Sequence, residues 1–375
     1  MDESRVLTLL KELISINSEN PEGITEGVAE VLREHLEAYG VACTSVGLAE
    51  RPNLIFSSHE GQKGDLLLHG HMDTVPIGPP ENWSHDPFAS EIVDGRLYGR
   101  GSCDMKGPVA ALAETLILYT EKRAEKPLVV LATSDEETGC HGAEVVVKSG
   151  QLDSIRFGVC AEPTSLQVLV GEKGIFWTKI ISTGKSAHAS RPDEGINAIE
   201  ACIEAIRLLT GEPFPYEADE LLGNPTFNIG VIEGGVKVNV VPDRCEAQLD
   251  MRLAKGQDPE ALFNEMNTRL GSAGLSDRVQ LEFIHGKPAV LTPVDSRIVK
   301  LATSAVEKVT GSSPSLGTAT YGTDCSIIQP ELGILNVICG PGSIEQAHQP
   351  DEYISLKELY QSVDVYLEIA NYFNR

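Results

Sequence analysis

The chain is short of positive charge and has no long apolar run. Its 375 residues include 30 lysines and arginines against 55 aspartates and glutamates, which gives a formal charge of −25 at pH 7. A field of this sign repels nucleic acid and anionic lipid headgroups, and no apolar run approaches the length of a membrane span. We therefore expect neither nucleic acid nor a membrane as a partner.

Cysteine pairs and several common catalytic motifs are absent as well. The eight cysteines include no Cys-x-x-Cys pair, and Cys160 and Cys202 lie in apolar runs that are typical of a core. We therefore predict reduced thiols and a cytoplasmic protein. The first residues lead into an amphipathic pattern that includes Lys11 and Glu12, so we expect no secretory signal. The chain contains no Gly-x-Ser-x-Gly elbow and no His-Glu-x-x-His helix. This argues against a covalent serine mechanism and against a zinc protease built on one helix.

The order of strands and helices predicts an α/β protein interrupted by a second domain. Residues 174–285 have the pattern strand-helix-strand-strand-helix-strand, with the third strand over residues 239–253, which is the split βαβ arrangement of a ferredoxin-like α+β domain. We predict that residues 1–173 and 286–375 build one mixed sheet with helices on both faces. The exposed sheet edge of the inserted domain is suited to pairing with a second copy.

Three predicted buried strands end in imidazole or carboxylate side chains. The run Leu66–Asp73 ends in two imidazoles and a carboxylate, Pro127–Thr133 precedes Asp135-Glu-Glu, and Phe157–Ala161 precedes Glu162. A solvated turn explains one such ending, but a repeated pattern is hard to explain in this way. Open α/β sheets place their ligand sites at strand ends. The pattern therefore predicts a site at one edge of the sheet.

Two further candidate ligands lie in loops. Asp104 follows the glycines of Leu97–Pro108 and lies four residues before Pro108, the expected start of a helix, too early for a simple helix cap. His348 follows a fourth apolar strand. The candidate ligands are His71, Asp104, Glu137, Glu162 and His348. Two imidazoles and three carboxylates without a thiolate suit zinc, cobalt or manganese, and five ligands suit two ions that share a carboxylate.

Two carboxylates remain beside these ligands. Asp73 lies two residues after His71, where it is placed to accept the other imidazole N–H and fix the tautomer. Glu136 and Glu137 are expected to point in different directions as strand neighbours. One then binds metal while the other takes a proton from water, whose pKa falls from 15.7 to about 7 on a divalent ion. The inferred reaction is hydrolysis.

Five ordered motifs resemble those of a known enzyme family. They are Gly70-His-Met-Asp-Thr-Val-Pro, Gly99-Arg-Gly-Ser-Cys-Asp-Met-Lys-Gly, Asp135-Glu-Glu-Thr-Gly, Ala161-Glu-Pro-Thr and Ala347-His. The chain is similar nearly end to end to the di-zinc aminoacyl hydrolases. That family includes acetylornithine deacetylase, succinyl-diaminopimelate desuccinylase, aminoacylase and glutamate carboxypeptidases.

The resemblance implies two metal positions with zinc as the first choice. One position takes His71, Asp104 and Glu162, and the other takes Asp104, Glu137 and His348. Asp104 is then the bridging ligand. The resemblance also implies that Asp73 orients the first imidazole and that Glu136 is the general base.

The resemblance further implies that the inserted domain is a lid through which two chains form a homodimer. His188 matches the lid histidine that reaches the partner subunit's active site and stabilises the oxyanion, although a surface histidine at a strand end is the alternative. Arg252 and Asn239 resemble lid residues that hold the substrate carboxylate. Thr323 is a further substrate-binding candidate, in a Gly322-Thr-Asp segment that departs from the Thr-Glu expected there.

The predicted function is metal-dependent hydrolysis of an N-acyl amino acid, a small-molecule substrate. The segments after Glu162 and Gly340 look closest to acetylornithine deacetylase, so N-acetylornithine is the first candidate. Desuccinylation of succinyl-diaminopimelate and dipeptidase or carboxypeptidase activity are alternatives within the family. A non-catalytic metal-binding protein is the alternative outside it, against which the intact Glu136 argues, because a structural metal site needs no base.

Overall fold

The chain divides into two compact units. The computed structural model describes residues 3–60 and 64–374. The first unit consists of Met1–Gly171, Thr292–Ala319 and Thr323–Arg375, and the second of Glu172–Leu291 and Thr320–Gly322. The predicted inserted domain, residues 174–285, lies within the second unit.

The helices and strands are distributed along the whole chain. The helices are α1 Glu3–Ser15, α2 Glu26–Glu37, α3 Lys106–Glu121, α4 His141–Lys148, α5 Ala198–Gly211, α6 Pro259–Ser272, α7 Arg297–Thr310, α8 Cys325–Leu332 and α9 Leu356–Phe373. Within residues 3–60 and 64–374, no helix has the length and apolar character that a membrane span requires. The strands are β1 Ala42–Gly47, β2 Pro52–Ser57, β3 Leu66–His71, β4 Ile92–Val93, β5 Arg96–Tyr98, β6 Leu128–Thr133, β7 Phe157–Pro163, β8 Val168–Glu172, β9 Gly174–Thr183, β10 Thr226–Gly234, β11 Arg244–Leu253, β12 Val279–Lys287, β13 Val290–Leu291, β14 Leu316–Ala319, β15 Leu335–Gly340 and β16 Tyr353–Ser355.

The first unit is built on a mixed sheet. Its strand order includes β1-β2-β6-β3-β7-β15-β8. The strands β3, β6, β7 and β15 are parallel, whereas β1 and β2 are antiparallel to their neighbours. Both β3 and β6 are buried along their whole length, as parallel strands are when helices cover both faces of a sheet.

Helices pack on both faces of this sheet. On one face, α3 contacts β3, β6 and β7 and also packs against α1 and α9. It is buried on almost every side. On the other face, Leu67 and Leu131 join an apolar cluster with Ala143 of α4 and Ile328 of α8. The predicted fold class is confirmed.

The second unit contains an antiparallel sheet with the order β10-β11-β9-β12. This is the order that a split βαβ arrangement produces. Its apolar core combines the inner faces of α5 and α6 with alternate residues of the strands. Edge strand β10 is exposed along most of its length.

Two predicted boundaries differ from the structure. Helix α3 begins at Lys106 and not near Pro108, because proline is tolerated within the first turn of a helix. A strand predicted over residues 239–253 begins only at Arg244. Pro242 lies in the loop before it, and proline cannot donate a hydrogen bond to a sheet.

Candidate active site

The ends of the parallel strands bring distant segments together. Strands β3, β6, β7 and β15 share one direction, so their carboxyl ends meet at one edge of the sheet. Strand β3 ends at His71 and β7 carries Glu162 near its end, while an acidic turn follows β6. The loop after β15 leads to His348.

Asp104 lies between two imidazoles in this cluster. Its Oδ1 is 3.1 Å from Nε2 of His71, and its Oδ2 is 3.4 Å from Nε2 of His348. Glu162 Oε1 lies 3.5 Å from the His71 nitrogen, and Glu137 Oε1 lies 3.1 Å from the His348 nitrogen. The five predicted ligands therefore form one continuous cluster with Asp104 at its centre.

The loop that carries Asp104 depends on two glycines. Gly99 has a φ of 155° and Gly101 a φ of 80°, a region that side chains with a Cβ rarely adopt. Because α3 begins at Lys106, Asp104 lies only two residues before the helix, closer than predicted. Its carboxylate nevertheless faces the two imidazoles and does not cap the helix.

Asp73 supports the site differently from the prediction. Nδ1 of His71 donates to the backbone carbonyl of Asp73 at 2.9 Å, whereas the Asp73 carboxylate lies 3.6 Å away. That carboxylate accepts hydrogen bonds from the amides of Glu136 and Glu137 at 3.2 and 3.1 Å, and from Asn20 at 2.7 Å. Asp73 therefore fixes the imidazole through its backbone and the acidic turn through its side chain.

Glu136 and Glu137 lie in a turn after β6 and not in a strand as predicted. Their side chains still diverge. Glu136 Oε2 lies 4.0 Å from Nε2 of His71, whereas Glu137 faces His348. The other oxygen of Glu136 accepts a hydrogen bond from the Cys140 thiol at 3.2 Å. The two carboxylates of the acidic turn therefore face different imidazoles, Glu136 that of His71 and Glu137 that of His348.

The charges of the cluster shift the pKa of its members. Burial favours the neutral form of Asp104, but hydrogen bonds to His348 and His71 hold the pKa of that carboxyl below its usual value. Burial and the charge of Asp104 raise the pKa of Glu137 and of Glu162. Hydrogen bonds to Asp104 and Glu137 raise the pKa of His348 to about 10. The ionised carboxylates lie close enough to repel one another, and a bound cation would stabilise their charged forms.

This donor set fits divalent metal ions. Ligand atoms of His71, Asp104 and Glu137 lie within 4.8 Å of one another, and so do those of His71, Glu136 and Glu162. Bonds of about 2.0–2.2 Å bring nitrogen and oxygen donors to such separations around one ion. The assignment of particular ligands to two positions stays a prediction.

Sequence comparison places this arrangement in a family. The profile of peptidase family M20/M25/M40 matches residues 67–372. The chain belongs to this family. It is a metal-dependent amidohydrolase, as the sequence motifs predict.

Curated relatives in the family include acetylornithine deacetylases. The enzyme of Pectobacterium carotovorum is 36% identical over 336 residues, which cover 87% of this chain and 85% of the relative. The enzyme of Proteus mirabilis is 34% identical over 360 residues, covering 92% of this chain and 89% of the relative.

Solved structures share the fold. An M20 family metallo-carboxypeptidase from Sulfolobus solfataricus has a TM-score of 0.82 and 22% identity, with 100% of this chain and 99% of that chain covered. A Bacillus subtilis protein described as a dinuclear metal-binding peptidase of family M20 has a TM-score of 0.75 and 18% identity, with coverage of 98% and 97%.

The remaining candidate residues of this family member are less clustered. In the second unit, the exposed His188 and Asn239 lie on neighbouring segments, because the amide of Ala189 donates to the Asn239 carbonyl at 3.1 Å. Arg252 is half-buried and forms an ion pair with Asp250 at 3.1 Å. In the first unit, Thr323 is buried, and its hydroxyl accepts a hydrogen bond from an amide in the first turn of α8 at 3.0 Å. Their roles in substrate binding stay predictions.

Three buried residues support the site, and none of them was predicted to do so. Asn20 holds the Asp73 carboxylate, while Arg100 and Glu352 form an ion pair at 2.5 Å. Glu352 has one signal in the sequence, its position four residues after His348. Asn20 has none, because its partner lies 53 residues away.

Proposed function

We propose that this enzyme hydrolyses the amide bond of an N-acyl amino acid with two divalent ions, zinc in the first place and cobalt or manganese as alternatives. The proposed ligands are His71, Asp104, Glu137, Glu162 and His348. One observation carries the proposal, the position of Asp104 with one oxygen facing each imidazole. A carboxylate held in this way is suited to bridge two ions.

In the proposed mechanism, Glu136 moves the protons. Its carboxylate is 10% exposed and lies beside the ligand cluster, 4.0 Å from Nε2 of His71. Divalent ions bound by these residues would supply Lewis acidity and would lower the pKa of water to about 7. Glu136 takes a proton from the attacking water and gives it to the amine nitrogen as the amide bond breaks. Asp73 holds the amide of Glu136 and so fixes the base.

N-acetylornithine is the proposed substrate. Curated relatives that match most of the chain are named acetylornithine deacetylase. Charge offers independent support, because N-acetylornithine carries one ammonium and one carboxylate, whereas succinylated diaminopimelate carries an excess of carboxylates. A protein with a formal charge of −25 repels the second substrate more strongly.

We further propose that the second unit is a lid that supplies an oxyanion donor. The amide of Ser190 donates to Nδ1 of His188 at 3.1 Å, so the proton of a neutral imidazole is on Nε2. A hydrogen-bond donor of this kind is what an oxyanion requires. The exposed edge strand β10, with apolar Val231 and Ile232 at 41% and 52% exposure, favours a homodimer through this unit. The eight free thiols are compatible with the cytoplasm as its location.

Metal analysis and a substrate panel test the proposal. Chelator-treated protein is assayed with N-acetylornithine, succinyl-diaminopimelate and simple dipeptides, before and after addition of zinc, cobalt or manganese. We expect two ions per chain, no turnover without metal, and the highest kcat/KM with N-acetylornithine. Full turnover by metal-free protein contradicts the metal proposal, and a higher kcat/KM for another substrate contradicts only the substrate.

A further inference from the structure

A buried ion pair lies directly behind the candidate ligand cluster. Nη1 of Arg100 donates to Oε2 of Glu352 at 2.5 Å. The two side chains are 2% and 1% exposed. Burying two charges costs desolvation energy, so a pair of this kind is weak support for stability in itself. The pair also forms hydrogen bonds to the loops that carry the candidate ligands, and these bonds hold the loops in place.

Glu352 fixes the backbone of the central ligand. Its Oε1 accepts hydrogen bonds from the amides of Cys103 and Asp104 at 2.8 and 3.0 Å. Its own carbonyl accepts one from Gly99 at 2.9 Å, at the end of the pairing between β16 and β5. The Asp104 loop is therefore held at both ends by one residue, which lies four positions after His348.

Arg100 connects this loop to two other ligand-bearing segments. Nη2 donates to the carbonyl of Pro76 at 3.2 Å, three residues after Asp73, and Nη1 lies 3.4 Å from the carbonyl of Gln349, next to His348. The planar guanidinium can reach several acceptors at fixed angles, which an ammonium group cannot do. One side chain thus ties together the segments that carry His71, Asp104 and His348.

We propose that Arg100 and Glu352, the Arg100–Glu352 clamp, are positioning residues that set the spacing between the metal ligands Asp104 and His348. This inference rests on the proposed function, because it assumes that these two side chains bind metal. The clamp holds the loops of Asp104 and His348 at a fixed spacing before any ion binds. Less conformational entropy is then lost when these loops become ordered around a metal ion.

Metal titration of the metal-free protein tests the clamp. Glu352→Gln keeps the size of the side chain. Its NH2 group replaces a carboxylate oxygen that accepts a hydrogen bond from Arg100, so two donors would face each other. We expect the affinity for the ion shared by Asp104 and His348 to fall about 10–100-fold, as the loss of outer-shell partners does in other metal sites. The readouts are calorimetric titration and competition with a chromogenic chelator.

The ion pair between Arg5 and Glu114 provides a matched control. It joins α1 to α3 in the same unit through hydrogen bonds of 2.6 and 2.9 Å, and Glu114 is 1% exposed. We expect Glu114→Gln to lower the melting temperature and to leave metal affinity within about twofold of the original. Equal losses of affinity in Glu352→Gln and Glu114→Gln would overturn the inference, because general destabilisation would then explain both.

A milder variant covers the case in which Glu352→Gln does not fold. Arg100→Lys keeps a cation beside Glu352 and removes the fork that reaches Pro76 and Gln349, so we expect a smaller loss of affinity in the same direction. At saturating metal, turnover should return in both clamp variants and not in Glu136→Gln. Unchanged metal affinity in Arg100→Lys and Glu352→Gln overturns the clamp alone. Failure of the unsubstituted protein to bind metal overturns the proposed function.

Discussion

The candidate residues of the two units differ in how closely they are clustered. In the first unit, His71 and Asp104 are 1% and 6% exposed and contact each other at 3.1 Å. In the second unit, His188 and Asn239 are exposed, and the hydrogen bonds of the His188 ring go to Ser190 in the same loop. The candidate ligands of the first unit contact one another within that unit, whereas the hydrogen bonds of the His188 ring stay within its own loop.

The largest expected effect tests the candidate residues of the first unit. Glu136→Gln should lower kcat by about 10²–10⁴ and leave the metal content unchanged, because it removes the general base and keeps the ligands. Glu137→Gln is the contrasting variant and should lose metal together with activity. Metal analysis and steady-state kinetics check both, and normal turnover in Glu136→Gln would remove this residue from the mechanism.

The next effect tests the candidate residues of the second unit. His188→Ala should lower kcat by about 10²–10³, the cost of one oxyanion donor, at unchanged metal content. Mixing His188→Ala with Glu136→Gln should restore activity in hybrid dimers if the histidine acts across the dimer. His59→Ala, an imidazole in the turn after β2, serves as the control. Confirmed hybrids without activity would speak against shared sites.

A smaller effect concerns substrate affinity. Arg252→Ala should raise KM about 10–100-fold at nearly unchanged kcat, because a hydrogen bond to a charged group is worth about 1.5–3 kcal/mol. Arg244→Ala is a matched control. Arg244 also lies on β11, and it forms an ion pair with Glu246, two residues away, as Arg252 does with Asp250. Equal KM changes in the two variants would refute a specific role for Arg252.

The smallest expected effect is a pH dependence within the first unit. The pKa of His348 is raised to about 10 by Asp104 and Glu137, so at pH 7 metal binding must displace its proton. Apparent metal affinity should therefore fall about tenfold per pH unit for each proton released as the pH decreases. Calorimetry in buffers of different ionisation enthalpy measures that release, and an affinity independent of pH would contradict it.

The same pKa shift fixes the sign of a stability change in the metal-free protein. Because the folded pKa of His348 is higher than that of a free imidazole, its ion pairs contribute fully below about pH 6.5 and are lost as the pH rises through about 10. Thermal unfolding of metal-free protein should therefore show this contribution decreasing over that interval. His348→Ala should remove the decrease.

Regular periodicity made most of the fold predictable. Residues 356–373 have helical spacing throughout, and α9 spans Leu356–Phe373. By contrast, α4 and α8 are short helices beside glycine or proline, and β8 is a five-residue strand, so none of them has enough repeats to stand out. The strand predicted over Pro127–Thr133 is β6, but Glu136 and Glu137, whose divergence was predicted from strand geometry, diverge within the turn that follows it.

The sequence by itself determined the family, the fold class and the chemical types of the candidate ligands, because strand endings and ordered motifs are local features. Only the tertiary structure decided that Asp104 faces two imidazoles, that Asp73 holds the acidic turn, and that Arg100 reaches three segments. These contacts join residues that are up to 252 positions apart. Packing of the whole chain brings such residues together, and no local pattern records it.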